Sequence, residues 1–232
     1  MTVASALQRL RSSLDNSAGT VVFGMEDGTV SIFGLIFGVA ATTTSTKAVL
    51  IAGASGAVAA AVSMMAGAYL DVETTHDEIE ARRSLMQSDS ALNTFSASLP
   101  SRLMAAGLTQ EQSAALAGGI QHDRAALGGL LMALEARPEA APNPWEQALW
   151  MLIADFLAAA VPILPFVFLP IPHARIVSGI VTIALLVGLG IGRARIAKRS
   201  TLRTVAETVT IGIAAALAGI VVGLLIDHGF GG

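Results

Sequence analysis

The sequence predicts an all-α membrane protein with five transmembrane helices and a helical insertion between the second and the third. Of its 232 residues, 53% are hydrophobic and only 13% are charged, and the mean hydropathy is +0.67. Soluble domains carry about 25% charged residues. Charges are concentrated in residues 71–139 and 193–203, and they are almost absent from 48–70, 147–172, 176–192 and 204–226. A bilayer core about 30 Å thick needs roughly 20 apolar residues in a helix, so these four segments are predicted to span it.

Residues 1–20 predict a short helix that lies on the membrane surface. They contain no uninterrupted apolar stretch and no small-residue cleavage site, so no cleaved signal peptide is predicted. Arg9 and Arg11 lie beside one apolar helical stripe, formed by Val3, Ala6, Leu7, Leu10 and Leu14. Such a helix suits an anionic cytoplasmic membrane surface. A frayed tail is the alternative.

The first span is predicted from its length. Only 12 residues separate Val30 from Ala41, counting both, which is too short to cross a bilayer. The span must therefore begin near Val21, and this draws Glu26 and Asp27 into its first turns. The alternative is that the two acids, Glu26 above all, stay in water at the helix N-terminus, where the helix dipole favours them. Small residues four apart predict close approach of another helix, and they are Gly24, Gly28, Gly34 and Gly38.

The second span is predicted to continue past the membrane as an amphipathic helix. Its polar part carries four candidate metal ligands at i, i+3, i+4 and i+7, which are Glu73, His76, Asp77 and Glu80. One helical face of carboxylates and imidazole can hold a divalent metal, although a solvated face is the commoner meaning. Leu103 to Ile120 continue the helical pattern, and Thr109 with Gln112 predicts a capping box. Residues 121–137 predict a further helix, ended by Pro138.

Orientation follows from the basic residues. With the N-terminus in the cytoplasm, all but two of the 14 Lys and Arg residues, Lys47 and Arg175, lie inside, as the positive-inside rule requires. We therefore divide the chain into an interfacial helix (1–20), spans one and two (21–72), a cytoplasmic helical region (73–144) and spans three to five (145–232). The C-terminus then lies outside.

The ionisable groups of the spans are the candidate functional residues, because charges in a membrane are rare. Asp27 is followed one turn later by Ser31, and the third and fifth spans carry Asp155 and Glu207, which suit either a proton relay or an interfacial packing role. Met64 and Met65 lie in the second span. A carboxylate with a thioether offers one hard and one soft ligand, which suits a borderline transition metal. The chain has no cysteine, and its net charge of −3 does not indicate nucleic-acid binding. The sequence contains neither the residue spacing of a catalytic triad nor a nucleophile elbow, so it does not predict an enzyme.

Four ordered motifs resemble those of the vacuolar iron transporter family. Asp27-Gly-Thr-Val-Ser31, before a glycine-rich stretch, resembles the first-helix motif, and Ser63-Met-Met-Ala-Gly-Ala-Tyr69 resembles the second-helix motif, usually Ser-Met-x-x-Gly-Glu-Tyr. Leu131-Met-Ala-Leu-Glu135 is similar to the methionine-and-glutamate patch that ends the family's cytoplasmic region. Val161-Pro-Ile-Leu-Pro-Phe166 is similar to its double-proline signature. The chain departs from the pattern at Ala68, where the family usually has glutamate.

The resemblance implies a five-helix homodimer that moves Fe²⁺, and often Mn²⁺, out of the cytoplasm in exchange for protons. It implies a path at the dimer interface with Asp27 and Met64 as ligands, bordered by Glu26, Ser31 and Met65. It also implies cytoplasmic metal ligands that include Met132 and Glu135. The metal is then the substrate, and no permanent cofactor is expected. We expect a bacterial inner membrane as the location.

Two further hypotheses stay open at this stage. One is a membrane sensor or scaffold that binds metal or a partner through residues 71–145 without transport, which Ala68 favours. The other is a transporter of a different solute that uses Asp27 as a proton relay.

Overall fold

A computed structural model describes residues 3–86, 88–121, 123–135 and 143–230. Within these ranges every regular element is an α-helix. The helices are α1 (Val3–Asn16), α2 (Ala18–Thr42), α3 (Thr46–Met86), α4 (Asp89–Ala105), α5 (Gln110–Ile120), α6 (Arg124–Glu135), α7 (Pro144–Phe168), α8 (Ile171–Ile196) and α9 (Thr201–Phe230).

Five of these helices are long and apolar enough to cross a membrane, as the sequence predicts. They are α2, α3, α7, α8 and α9. The first begins at Ala18 rather than near Val21. The continuation of the second span past the apolar segment is confirmed, because α3 is a single helix of 41 residues. The third predicted span, 147–172, is too long: α7 ends at Phe168, and α8 begins at Ile171. Leu169 between them is extended, because a residue that precedes a proline, here Pro170, disfavours the helical conformation.

The chain divides into two compact units. The first consists of residues 1–71 and 142–232, and it contains α1, α2, the first part of α3, and α7 to α9. The second consists of residues 72–141 and contains the end of α3 with α4, α5 and α6.

Helix α2 lies at the centre of the first unit and runs parallel to α7. Three contacts join the two helices at successive turns, and each pairs residues that are 127 positions apart in the chain. In the first, the Thr20 hydroxyl donates a hydrogen bond to the side-chain oxygen of Gln147. The other two pairs are Gly24 with Met151 and Gly28 with Asp155. A constant separation over three turns means that the two helices stay in register along this seam. We call it the α2–α7 seam.

A second glycine seam joins α2 to α9. A Cβ on Gly34 would lie 2.8 Å from the carbonyl oxygen of Ala215, and one on Gly38 would lie 2.6 Å from that of Gly219. Gly219 and Gly223 pack in turn against the backbone of Gly34 and Gly38. The predicted close approach at glycines four residues apart is therefore confirmed, and the two glycine pairs of α2 serve two different partners.

The remaining spans run antiparallel to α2. Gly53 of α3 packs on Ile36, and Gly56, further along α3, packs on Ile32 and Leu35, which lie earlier in α2. In α8, Gly179 lies near Phe37 and Arg193 near Glu26, so the order is again reversed. The apolar core between these helices is formed by Ile32, Ile36, Ala40, Val49, Ala57, Ala159, Phe166, Ile171 and Ala174.

The outward faces of the spans are apolar. Large hydrophobic side chains are exposed on α3, α8 and α9, among them Ile51, Val58, Ile180, Leu217 and Val221. Soluble proteins rarely expose contiguous apolar surface on this scale. Helices in a bilayer do, because lipid covers those faces and the backbone polar groups are satisfied within each helix.

Helix α1 confirms the predicted N-terminal helix, so the frayed-tail alternative is wrong for residues 3–16. Its side chains Leu7 and Leu10 are exposed. The indole N–H of Trp150 donates to the Ser13 hydroxyl at 2.8 Å and ties α1 to α7. That α1 lies on a membrane surface remains a prediction.

The second unit is a small helical cluster with its own core. Leu92, Phe95 and Leu99 of α4 pack with Ala117 of α5 and with Leu127 and Leu131 of α6. The capping box at Thr109 and Gln112 is confirmed in both directions. The helical pattern predicted from Leu103 to Ile120 is interrupted, because Gly107 adopts a φ of +100° that suits glycine and ends α4. The helix predicted over 121–137 starts at Arg124, and Pro138 lies outside the described residues.

Candidate functional site

Glu26 is buried inside the helix bundle. Only 9% of its surface is exposed. Its carboxylate accepts hydrogen bonds from Arg193 Nη1 at 3.0 Å and from the Thr208 hydroxyl at 2.9 Å. The expectation that Glu26 stays in water at the helix N-terminus is therefore wrong. The physical reason is that α2 begins two turns earlier, at Ala18, so α8 and α9 cover this face and bring a cation with them.

Asp27 lies on a different face of α2. It is half-buried, and it belongs to a row of residues four apart in which its neighbours Phe23, Ser31 and Leu35 are exposed. We call this row the open face of α2. The predicted pairing of Asp27 and Ser31 on one helical face is confirmed. In the single chain this face has room for a further helix or for solvent.

Asp155 is fully buried on α7, with 0% of its surface exposed. It packs against Gly28, where an added Cβ would lie 2.9 Å from Asp155 Oδ1 and would overlap the Asp155 backbone carbonyl. Neither carboxylate oxygen has a hydrogen-bond partner among the described residues. Gly28 directly follows Asp27 in the chain, so the Asp155 carboxyl group packs against the turn of α2 that carries Asp27. Two acids of neighbouring helices therefore meet beside the α2–α7 seam.

Met151 lies one turn before Asp155 on the same side of α7. Its sulfur would be 2.8 Å from a Cβ on Gly24, and the residue is buried. The α7 side of the seam thus presents a thioether and a carboxylate at successive turns.

Met64 and Met65 are half-buried on α3. Met64 lies eight residues beyond Gly56, about 12 Å along the helix, and Asp27 lies five residues before Ile32, about 8 Å along α2. Because Gly56 packs on Ile32 and the two helices are antiparallel, Met64 and Asp27 lie at depths that differ by only about 4 Å.

Glu207 differs from Asp27 and Asp155 because it has a basic partner on its own helix. It forms an ion pair with Arg203 one turn earlier on α9, with Nε and Oε1 3.0 Å apart. Its carboxylate is partly exposed. Glu207 therefore has a basic partner on its own helix, whereas Asp155 packs against the turn of α2 that carries Asp27.

The candidate ligands of the second unit share one face of α3, as the helical spacing predicts. Glu73 and His76 are half-buried, whereas Asp77 and Glu80 are exposed. Within the described part of the chain, no three His, Asp or Glu side chains converge in a metal-binding group. Met132 of α6 lines a surface depression together with Asp89 and Arg124, which form an ion pair at 2.7 Å. The side chain of Glu135 lies outside the described residues.

Four residues of this region are not identified from the sequence: Arg193, Thr208, Gln147 and Met151. Arg193 reads as one of several basic residues in the loop between the last two spans, but it lies within α8 and pairs with Glu26. Thr208 carries no sequence signal of its own. The spacing Gln147, Met151, Asp155 at intervals of four is visible in the sequence and would have indicated a polar stripe on α7.

Five apolar helices with acids inside their packed core define an integral membrane protein. The match to the model of the VIT family covers residues 18–224, so this chain belongs to the VIT family. It is 28% identical over 204 residues to a vacuolar iron transporter of Centaurea cyanus, with 85% of this chain and 83% of the relative covered. Vacuolar iron transporter 1 of Arabidopsis thaliana is 26% identical over 216 residues, which cover 90% and 85% of the two chains. Vacuolar iron transporter 1 of Eucalyptus grandis is 24% identical over 204 residues, with 85% and 82% covered.

Proposed function

We propose that this protein is a transporter that moves a divalent transition-metal ion, Fe²⁺ and also Mn²⁺, out of the cytoplasm in exchange for protons. The observation that carries this proposal is a pair of acids in the spans of a VIT-family member: Asp27, half-buried on the open face of α2, and Asp155, fully buried on α7 where it packs against Gly28. Intramembrane acids mark ion pathways. The relatives that match nearly the whole chain are named vacuolar iron transporters.

The path is proposed to run along the open face of α2. Asp27 and Ser31 lie on that face, and Met64 and Met65 lie at a similar depth on α3. A second copy of the chain would cover the face and add its own Asp27 and Met64 to the path. Glu26 borders the path, but its carboxylate is occupied by Arg193 and Thr208. We assign it to holding α2, α8 and α9 together.

Protons are proposed to drive release of the ion. Carboxylate ligands must be deprotonated to bind a metal, so a proton arriving from the outer side weakens the site. Asp155 and Glu207 are the candidate carriers. On the cytoplasmic side, the face formed by Glu73, His76, Asp77 and Glu80, with Met132 and Glu135, would collect ions before entry.

The proposed location is the inner membrane of a bacterium, with the N-terminus in the cytoplasm and the C-terminus outside. The distribution of Lys and Arg supports this orientation.

Metal flux into proteoliposomes tests the proposal. We expect wild-type protein to move Fe²⁺ and Mn²⁺ and to move protons in the opposite direction. Asp27→Asn and Met64→Leu should each lower the initial rate by about tenfold or more, since each removes a ligand. Asp227→Asn is the matched control, because this acid lies beside Thr42, about 22 Å along α2 from Asp27. Unchanged flux in Asp27→Asn would refute the mechanism.

A metal sensor or scaffold is the second candidate, favoured by Ala68 where the family usually has a second-helix glutamate. It predicts that Fe²⁺ or Mn²⁺ raises the melting temperature of the purified protein while vesicles take up none. In that case binding should depend on Glu73, His76, Asp77 and Glu80 and not on Asp27.

A further inference from the structure

Asp155 is an acid whose burial needs an explanation. Both of its carboxylate oxygens are buried without a hydrogen-bond partner among the described residues, although burying an unpartnered carboxylate is strongly unfavourable. Two other acids of the spans have basic partners: Glu26 pairs with Arg193, and Glu207 pairs with Arg203. Asp155 therefore needs a partner that the described residues of the single chain do not supply.

The surroundings of Asp155 indicate which partner fits. Asp155 packs against Gly28, and Asp27 directly precedes Gly28 in the chain, so a second carboxylate lies on the same turn of α2. Met151 lies one turn away on α7 and brings a thioether to the same side of the helix. Gly24 and Gly28 have no side chains, so both α7 residues pack directly on the α2 backbone. Two carboxylates balance the charge of a divalent cation, and a thioether favours borderline transition metals over Mg²⁺ or Ca²⁺.

We propose that Asp155, Asp27 and Met151 bind a divalent transition-metal ion beside the α2–α7 seam, within one subunit. This inference rests on the proposed function and adds a site to it. In the path implied by the family resemblance, Asp27 is paired with Met64 of the second span. Here the third span supplies the second carboxylate, in a chain that has Ala68 in the second span. A metal ion at this seam satisfies the Asp155 oxygens, which have no hydrogen-bond partner in the part of the chain that the structure describes.

Binding of Mn²⁺ to the purified full-length protein tests the site. Free Mn²⁺ gives a six-line electron paramagnetic resonance signal that is lost on binding, so a titration yields the number of sites and the Kd. Asp155→Asn keeps the shape of the side chain and should raise the Kd about tenfold or more. Asp227→Asn, at the other end of α2, should leave it unchanged. Met151→Leu keeps the volume and should weaken Co²⁺ binding more than Mn²⁺ binding, because only the thioether distinguishes these ions by softness.

Two outcomes would overturn the inference. Wild-type affinity in a folded Asp155→Asn protein would mean that a proton alone satisfies this carboxyl group, and an unchanged ratio of Co²⁺ to Mn²⁺ affinity in Met151→Leu would remove the thioether from the site. If Asp155→Asn does not fold, crystals of the wild-type protein soaked in Mn²⁺ decide. An anomalous peak within about 2.5 Å of an Asp155 oxygen supports the site, and a peak elsewhere, or none, overturns it.

The flux assay separates this inference from the proposed function. Absence of metal flux in wild-type vesicles would refute transport, whereas the Mn²⁺ titration would still report on Asp155. Flux in the wild type together with unchanged binding and flux in Asp155→Asn would leave transport standing and remove Asp155 from the site.

Discussion

Replacing Gly38 with alanine tests the close contact between α2 and α9. The added Cβ would lie 2.6 Å from the carbonyl oxygen of Gly219 and 2.9 Å from its carbonyl carbon. Ordinary contact begins at 3.4 Å, so the oxygen contact falls short by about 0.8 Å. The obstacle is backbone, which cannot rotate away as a flexible side chain can. The two helices must therefore move apart.

The expected loss of stability follows from that separation. A gap of 0.5–1 Å removes about a quarter to a half of the dispersion energy of each contact pair, and overpacking of a core costs about 1–3 kcal/mol. Alanine regains up to about 1 kcal/mol over glycine in a helix. We therefore expect Gly38→Ala to lower the free energy of unfolding by about 1–2 kcal/mol, because the contact with Gly219 is reciprocated by Gly34 along the same seam.

The assay is thermal unfolding of the detergent-solubilised protein, followed by size-exclusion chromatography of the heated samples. Gly192→Ala on α8 is the matched control, because nothing lies within 4 Å of its added Cβ. The control should be neutral or slightly stabilising. A Gly38→Ala protein as stable as the Gly192→Ala protein would refute the close packing of α2 on α9.

Three further predictions concern the buried ion pair and the two helix anchors. Arg193→Gln leaves Glu26 with Thr208 as its only described partner and should lower stability by about 1–2 kcal/mol, less than for a fully buried pair, because the Arg193 side chain is 41% exposed. Adding Glu26→Gln should restore part of that loss in the same melting assay. Thr109→Ala removes the capping box and should weaken α5 by about 1 kcal/mol, seen as faster hydrogen exchange of its first amides. Trp150→Phe removes the donor to Ser13 and should speed hydrogen exchange in α1 but not in α5.

Each of these three predictions has an outcome that contradicts it. Additive losses in the Glu26 and Arg193 double variant would mean that the two side chains are not coupled. Unchanged exchange at the start of α5 would contradict the role of the Thr109 cap. Equal exchange of α1 in Trp150→Phe and wild type would mean that other contacts hold α1 in place.

The number and type of the spans could be predicted from the sequence because the bilayer imposes a simple length rule. Apolar segments such as 48–70 and 204–226 stand out against the charged ones, and a helix is the structure that satisfies its own backbone in lipid. Local chemistry was equally readable: the Thr109 capping box depends on residues three apart. Boundaries were less accurate, because Ala18, Gly107 and Phe168 end or begin helices where composition changes little.

The partners of the membrane acids could not be predicted, because they come from helices distant in sequence. Glu26 and Asp27 are adjacent in the chain, yet a rotation of about 100° per residue sends them to different faces of α2. One face meets Arg193 of α8, and the other is the open face beside Asp155 of α7. Arg193 is 167 residues from Glu26, and no local pattern links them.

Hydropathy and motif spacing are local properties, so the sequence alone predicts a helical membrane protein with carboxylates and thioethers in its spans. Which acid is neutralised depends on how the helices pack: among the described residues, Glu26 has a basic partner and Asp155 has no hydrogen-bond partner. Glycines on two faces of α2 let α7 and α9 approach to backbone contact. That approach buries Glu26 beside an arginine, and it buries Asp155 against Gly28, where neither of its carboxylate oxygens has a hydrogen-bond partner among the described residues.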